Sequence, residues 1–478
     1  MRVTARSNVR VTPVPRLLIL VAASVCVLSA CTSVVVGAPN PANGIRQDVA
    51  DSDLEIFGAG DGEVDRLVRN ALADLNTFWA EQFPDVYGGE FPPLEGGYYS
   101  VDPDDFNPDD YPDDINSDVC LEDLVDNVTG NAYYCVANND GDLIAYDRTL
   151  LEQLKNDYGP FLPAMVIAHE FAHAIQAREP PDSNKTIVSE TQADCMAGAW
   201  TGWVSTDAAE HFNIRAPELD DLIRGLVEFR DPVGSDPEGE SAHGSYFDRA
   251  SAFQEGFDDG STACRDNFDD DRIFTQIEFQ ENDTTGDASY EDTFVIADSS
   301  LGIFWTDVLD SAGVDFSIPD LVGFDGTAPD CGNQGQERDI NYCPADNTVS
   351  YDESELTEAL HEDIGDYAVI MAVAIPYSLA VLQALDRPIN DGTAISAAVC
   401  LAGWYSSTFA DGDIPFEEDN VSSISPGDID EAVIFLVEQA TRREVLPEVD
   451  LSGFQLVDFF RRGFVVGPDA CGVEGLDG

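Results

Sequence analysis

The stretch FLPAMVIAHEFAHAIQAR, residues 161–178, decides the fold of this chain. Apolar residues occupy most of it, a proline stands near its start and a proline pair follows its end. This pattern predicts a buried helix from Pro163 to Arg178. His169 and His173 are four residues apart, which places both side chains on one face of that helix.

The spacing of these histidines predicts a metal site. Two imidazoles one turn apart can reach one tetrahedral metal ion, and a carboxylate beside the first, here Glu170, can contact a metal-bound water. Zinc lowers the pKa of such a water, and the carboxylate takes its proton. The chain has five histidines, so two falling in this frame by chance is improbable, on the order of one in hundreds. We expect His169 and His173 to bind zinc, with Glu170 as general base.

A catalytic zinc needs a third protein ligand. The preferred candidate is Glu190, in the segment SETQADC at 189–195. Asp194 lies four residues later, on the same face of a helix, and can accept the second N–H of a ligand histidine. The exchanged roles, with Asp194 as ligand and Glu190 as its support, are the alternative. A solvated acidic helix face is disfavoured because the neighbouring residues are mostly apolar.

The two halves of the chain contain similar blocks in the same order. This similarity predicts an internal duplication, and the alternative is chance similarity between two acidic, alanine-rich stretches. We expect a first domain at residues 61–270 and a second at 290–473, with a short edge strand at 273–279 in the acidic connection. The matching pairs are Phe78-Trp79 with Phe304-Trp305, Tyr134-Cys135 with Tyr342-Cys343, ADCMAGAW at 193–200 with AVCLAGW at 398–404, and FQEGF at 253–257 with FRRGF at 460–464.

The cysteines are expected to form disulfides. Ten are present; Cys26 and Cys31 fall near the N-terminus, and the other eight allow many pairings. The repeat selects the simplest scheme that gives both halves the same bridges. That scheme pairs Cys120 with Cys135, Cys331 with Cys343, Cys195 with Cys264, and Cys400 with Cys471.

The second half lacks the residues of the predicted metal site. Aligning Gln176 with Gln383 places uncharged side chains at all five positions, where they would fill the pocket with ordinary core. We therefore expect a degenerate second domain without metal, whose helix kinks or breaks at a proline. The aligned residues are Pro376, Tyr377 and Ala380 opposite His169, Glu170 and His173, and Ile395 and Val399 opposite Glu190 and Asp194.

Helical patterns dominate the chain, and strand patterns are few and short. We therefore expect a helix-rich α+β fold, present twice as a tandem duplication. The predicted helices of the first half lie at 63–83, 149–156, 163–178, 188–204, 217–230 and 246–259, and its predicted strands lie near 98–101 and 142–146.

The N-terminus resembles an export signal. Four arginines precede an apolar run at 17–28, which is too short to span a membrane. The run ends Leu-Ser-Ala-Cys31, which resembles the bacterial lipobox; an ordinary signal peptide with an incidental cysteine is the alternative. We expect residues 1–30 to be removed, Cys31 to carry lipid, and residues 31–60 to form a flexible tether. The protein would then be exported and held on the outer face of the cell membrane as a lipoprotein.

The charge of the chain excludes one class of partner. There are 23 Lys and Arg against 92 Asp and Glu, a net charge of −69. Binding to phosphate backbones needs a basic surface, so we expect no nucleic-acid partner. Docking on anionic lipid through a basic patch is disfavoured for the same reason.

Three blocks together resemble a bacterial family of neutral zinc metallopeptidases. The likeness covers most of residues 61–264 and implies a zincin-like fold with one zinc ion in the first domain, bound by His169, His173 and Glu190. The second domain would then be a degenerate zincin-like copy. The blocks are HEFAHAIQ at 169–176, ETQADC at 190–195, and His243-Gly244-Ser245 followed by Arg249. The chain departs from the family at Ala172, usually Gly, and at Ala174, usually His, neither of them a ligand position.

A peptidase also needs a donor to the developing oxyanion. The first candidate is His243, followed by Tyr246 and Arg249. His211 and His361 have no partner pattern and are expected at the surface.

Three functions are compatible with this reading. The leading one is a surface-anchored zinc metallopeptidase that acts on peptides or proteins. The second is a non-catalytic lipoprotein that serves as a binding or scaffold module, with a vestigial or structural zinc. The third is a zinc hydrolase of a non-peptide amide such as cell-wall material. The intact Glu170 favours an enzyme, because a structural zinc site has no use for a base.

Overall fold

The structure is a computed structural model that describes residues 44–112, 120–121, 123–136, 141–279, 286–331, 338–412, 414, 424–446, 451–474 and 476. The predicted signal sequence, Cys31 and the first part of the predicted tether lie outside the described residues. All described residues belong to one compact unit.

Helices make up most of the first half and accompany a small sheet. The elements are α1 (Glu63–Val86), β1 (Gly97–Val101), α2 (Leu124–Val128), β2 (Ala132–Val136), β3 (Asp142–Asp147), α3 (Arg148–Tyr158), α4 (Phe161–Arg178), α5 (Thr186–Ser205), α6 (Ala216–Gly225) and α7 (Tyr246–Asp266). The strand order is β1-β3-β2, with β1 parallel and β2 antiparallel to β3.

The second half has the same kind of arrangement. Its elements are α8 (Tyr290–Ser311), β4 (Asp320–Phe324), β5 (Ile340–Cys343), β6 (Thr348–Asp352), α9 (Glu358–Asp363), α10 (Asp366–Ala384), α11 (Gly392–Ala410), α12 (Asp428–Gln439) and α13 (Gly453–Val466). The strand order is β4-β6-β5, with β4 parallel and β5 antiparallel to β6. The prediction of a helix-rich α+β fold is confirmed.

The core of the first half forms around α4. Its sequence is apolar around most of the helix, so most of its side chains are buried, among them Ile167 and Phe171. It packs against α1 and α5. The helix that carries both histidines is therefore held from several sides, which restricts where their rings can point.

Glycines allow α5 and α7 to touch backbone to backbone. A Cβ added at Gly198 would lie 1.9 Å from the carbonyl oxygen of Phe253, and one at Gly256 would lie 1.8 Å from that of Cys195. The second half has the same contact between α11 and α13. There a Cβ at Gly403 would lie 2.1 Å from the Phe460 oxygen. Only a residue without a side chain fits at these positions, which explains why the glycines recur in the sequence blocks.

The disulfide prediction is confirmed. The structure contains the four bridges Cys120–Cys135, Cys195–Cys264, Cys331–Cys343 and Cys400–Cys471. Two of them tie α5 to α7 and α11 to the segment after α13, beside the glycine contacts.

One local prediction is wrong, and another is decided in part. Residues 273–279 form no strand; the backbone N–H groups of Thr275 and Gln276 donate instead to the carboxylate of Asp248. Of the predicted kink or break at Pro376, the break is absent, since helix α10 continues to Ala384. Buried packing on all sides overrides the local cost of the proline.

The predicted tether is packed from residue 44 onward. Ile45 forms an isolated bridge with Phe212, and Phe57 forms one with Tyr99. Ile45 and Ile56 are buried. The prediction of a flexible tether is therefore wrong for residues 44–58, because apolar side chains find partners on the first half.

The two halves pack against each other. Helix α12 contacts α6 and α7, and α13 contacts α6 and α7. The carboxylate of Asp430 on α12 accepts the backbone N–H of Phe247 at 2.9 Å and a guanidinium N–H of Arg230 at 3.2 Å. In the described part of the chain, α10 is the one helix long and apolar enough to cross a membrane, and 89% of that window is buried inside the protein.

Candidate metal centre

The structure brings His169, His173 and Glu190 together. Oε2 of Glu190 lies 3.2 Å from Nε2 of His169 and 3.5 Å from Nε2 of His173. A tetrahedral zinc site with bonds of about 2.0–2.1 Å has ligand atoms about 3.3 Å apart. The three atoms therefore fit three corners of such a site, with the fourth left for water or substrate.

The ring of His169 is oriented by Asp194. Its Nδ1 lies 2.8 Å from Oδ1 of Asp194. An ionised carboxylate only accepts hydrogen bonds, so Nδ1 carries the proton and the lone pair of Nε2 points to the metal position. Burial opposes ionisation of Asp194, but Arg249 and His169 outweigh it and hold its pKa below the ordinary value. Asp194 therefore lies at Nδ1 of His169, and Glu190 is the carboxylate that faces the two Nε2 atoms.

The ring of His173 is oriented by an amide. Its Nδ1 lies 2.8 Å from Oε1 of Gln176. The amide nitrogen of Gln176 donates to the carbonyl of Ser189 at 2.7 Å and to Oε1 of Gln192 at 3.0 Å. This leaves Oε1 as the acceptor for His173, so its Nδ1 also carries the proton. Gln176 follows His173 by one helical turn, and this spacing is the signal by which its role could have been found.

Glu170 lies in the cleft beside these residues. Burial raises the pKa of its carboxyl, and the nearby His173 and His169 oppose this rise. The backbone N–H of Tyr134 on β2 donates to the carboxylate. A buried carboxylate that lines the cleft beside the two histidines has the surroundings that a general base needs.

The cleft has a volume of about 830 Å³. Strand β2 lies at one edge of its sheet, and residues 131–134 line the cleft. His243 also lines the cleft, and its side chain is 43% exposed. Its backbone N–H donates to the carboxylate of Asp231 at 2.7 Å, and its Nδ1 lies 3.3 Å from the same carboxylate. The sequence did not predict β2 or the part played by Asp231.

The other two oxyanion candidates are engaged elsewhere. The hydroxyl of Tyr246 donates to the carbonyl of Ile223 and is buried. Arg249 donates to Asp194 and to the carbonyl of Phe229. Their roles are structural: one closes the end of α6, and the other holds the support of His169.

The remaining histidines differ from expectation. His211 is buried, with its Nδ1 2.8 Å from the carboxylate of Asp74, so its predicted surface position is wrong. His361 is half-buried, and its Nε2 lies 2.9 Å from the carbonyl oxygen of Ala288. Neither lines the cleft.

In the second half, the aligned positions lie in the core. Tyr377 and Val399 are fully buried, and Ile395 is 4% exposed. Helices α10 and α11 pack against each other as α4 and α5 do. These uncharged side chains are therefore part of the core of the second half.

Compared with protein-family models, curated proteins and solved structures, the chain gives no match.

Proposed function

We propose that the protein is a zinc-dependent metallopeptidase with its catalytic site in the first half. The observation that carries the proposal is the convergence of His169 Nε2, His173 Nε2 and Glu190 Oε2. Both histidines are held through Nδ1 by neighbouring acceptors. Two imidazoles and one carboxylate form a common ligand set of catalytic zinc.

The residues around this position suit hydrolysis. A bound zinc would polarise the substrate carbonyl and lower the pKa of its water. Glu170 accepts the proton of the attacking water and returns it to the leaving amine. His243, which is exposed in the cleft, is the proposed donor to the oxygen that gains charge.

The cleft suits an extended peptide. Strand β2 has one neighbour in its sheet, β3, and its other side borders the cleft. An extended segment can add to such an edge through backbone hydrogen bonds. The bond between Tyr134 N–H and the carboxylate of Glu170 places this edge next to the general base.

The second half is proposed to be a tandem copy of the first, a degenerate zincin-like domain at residues 290–473 without metal. Three features support this. Both halves have a three-stranded sheet of the same topology, the same glycine contact between paired helices, and long-range disulfides that join cysteines 69 and 71 residues apart. Since α12 and α13 pack on α6 and α7, the proposed role of the copy is to support the wall of the cleft.

Export and lipid anchoring remain part of the proposal. Four disulfides favour an oxidising compartment outside the cytosol. Mass spectrometry of the mature N-terminus tests the anchor: a lipid-modified Cys31 is expected, and an unmodified residue elsewhere at the N-terminus would refute it.

Metal analysis tests the site. The wild type should contain about one zinc per chain. Glu190→Ala should lose it, while Glu179→Ala, which changes an exposed acid just after α4, should retain it. No zinc in the reconstituted wild type, or full zinc in Glu190→Ala, would refute the proposed ligand set.

A cleavage assay then tests the activity. The zinc-loaded protein should cleave an unfolded protein substrate and leave cell-wall amides intact. Cleavage of cell-wall material alone would favour the amide hydrolase. Zinc binding without any cleavage would favour a non-catalytic binding module.

A further inference from the structure

A second cluster of acidic side chains lies in the other half of the chain, away from the metal centre. Carboxylate oxygens of Asp287, Asp366 and Glu431 all lie within 4.8 Å of one another. Asp366 and Glu431 are 5% and 8% exposed, whereas Asp287 is exposed at the edge of the cluster. Asp428, also 5% exposed, is close enough to repel all three.

Each of the buried carboxylates accepts a backbone hydrogen bond through one of its two oxygens. Asp366 Oδ2 accepts the backbone N–H of Ala288 at 3.0 Å, and Asp428 Oδ2 accepts that of Ser425 at 2.8 Å. Glu431 Oε2 accepts that of Tyr367 at 2.8 Å. The contact of Glu431 caps the start of α10, and the other two join Asp366 and Asp428 to the segments before α8 and α12, which accounts for one oxygen of each residue.

The other oxygens are not accounted for by capping. Oδ1 of Asp366 and Oδ1 of Asp428 are buried and have no hydrogen-bond partner. A buried polar atom without a partner is costly, and a buried charge more so. Two such atoms beside Glu431 and Asp287 call for a shared positive partner.

The nearby histidine does not act as this positive partner. The group of opposite sign that acts on Asp366 is His361 on α9, whose Nε2 is already bonded to the carbonyl oxygen of Ala288. The negative charges of Asp366 and Asp287 repel that of Glu431. The two buried oxygens of Asp366 and Asp428 that lack a hydrogen-bond partner are therefore the atoms that a bound cation would satisfy.

The backbone leaves room for this arrangement. Gly365 has φ of 149°, and a Cβ added there would lie 2.2 Å from the carboxylate carbon of Glu431. A residue with a side chain would push the carboxylate out of the cluster. The glycine thus lets Glu431 on α12 reach the start of α10.

We propose that this cluster binds one calcium ion, with Asp287, Asp366 and Glu431 as ligands and Asp428 beside them. The ligands are all carboxylate oxygens, which suits Ca²⁺, and they come from three separate segments, which the flexible coordination of Ca²⁺ accommodates better than the strict octahedron of Mg²⁺. The ion joins three parts of the chain: the connection between the halves, α10 and α12.

A calcium ion at this position would also affect the contact between the two halves. Asp430, between Asp428 and Glu431 on α12, binds Phe247 N–H and Arg230. Arg230 lines the cleft. Calcium that fixes the start of α12 therefore also fixes the contact of the second half with the cleft wall.

Calcium titration of the whole protein tests the inference without any activity assay. The protein is freed of divalent ions on a chelating resin, reloaded with one equivalent of zinc, and titrated with CaCl₂ by isothermal calorimetry. We expect one site with Kd on the order of 10⁻⁵–10⁻³ M. The melting temperature should rise by roughly 3–8 °C in 10 mM CaCl₂, and by less in 10 mM MgCl₂.

Two near-isosteric variants and one control make the test specific. Asp366→Asn and Glu431→Gln should each weaken calcium binding about tenfold or more and lose most of the shift in melting temperature. Asp310→Asn, an exposed acid on α8, should behave as the wild type. The inference is overturned if the wild type neither binds calcium nor gains thermal stability, or if both cluster variants bind it as the wild type does.

Discussion

Arg249 on α7 holds Asp194 on α5 through two hydrogen bonds of 2.8 Å each, from Nε to Oδ2 and from a terminal nitrogen to Oδ1. Asp194 in turn accepts the Nδ1 proton of His169. The orientation of the His169 ring therefore depends on contacts among α4, α5 and α7. The geometry of the metal centre therefore depends on the packing of α7, which supplies no ligand.

The first prediction concerns this link. Asp194→Asn keeps the shape of the side chain but removes the charge that Arg249 and His169 share, so zinc affinity should fall about 10–100-fold. Competition with a chromophoric chelator measures this. Asp207→Asn, an exposed acid just beyond α5, is the control, and an unchanged affinity in Asp194→Asn would contradict the role of the link.

Glu170 should be needed for catalysis and not for metal binding. Glu170→Gln cannot accept a proton from water, so kcat should fall by about 10²–10⁴-fold or more while the zinc content stays near that of the wild type. The readouts are a steady-state cleavage assay and metal analysis of the same sample. Wild-type kcat in the zinc-loaded variant would rule out Glu170 as the base.

Removal of zinc should abolish cleavage reversibly. A chelator such as 1,10-phenanthroline should inactivate the protein, and added Zn²⁺ should restore activity, because the ligand cluster is held in place by Asp194 and Gln176 without the ion. Activity that persists in the metal-free protein would contradict a metal-dependent mechanism.

The contact between α5 and α7 should tolerate no added methyl group. Gly256→Ala would place a Cβ 1.8 Å from the carbonyl oxygen of Cys195, and it should lower the free energy of unfolding by about 1–3 kcal/mol. Gly62→Ala, where nothing lies within 4 Å, is the matched control. Urea unfolding of both variants measures the difference. Equal free energies of unfolding for Gly256→Ala and Gly62→Ala would mean that α5 and α7 can move apart at little cost.

The long-range disulfides should stabilise both halves. Replacing Cys195 and Cys264 together by Ser should lower the free energy of unfolding by about 2–5 kcal/mol, and the same change at Cys400 and Cys471 should have a similar effect. The two bridges join residues 69 and 71 apart, so the loops they close in the unfolded chain are alike. A large loss in one pair and none in the other would show that the halves do not share this support.

Features that depend on local spacing could be predicted from the sequence. Two histidines four residues apart on a helix share a face whatever the rest of the fold, so the core of the site follows from residues 161–178. The disulfide pairs were predictable because the repeat restricts each half to the same scheme. The glycine blocks recur because the same helix contact recurs.

Features that depend on distant partners could not be predicted in this way. His211 is buried because Asp74, on α1, accepts its Nδ1 proton. Residues 273–279 form no strand, and the backbone N–H groups of Thr275 and Gln276 donate to the carboxylate of Asp248 on α7. In each case a tertiary contact outweighs the local pattern.

The sequence by itself therefore determined the helix-rich fold, the disulfide pairs and the face that carries His169 and His173, since these follow from helical periodicity and from the similar sequence blocks of the two halves. Only the tertiary structure decided that Glu190 rather than Asp194 faces the two Nε2 atoms, because that choice depends on the rotation of α5 against α4 and on Arg249. It alone brought Asp366 and Glu431 together, because carboxylates far apart in the chain meet only when α10 and α12 pack.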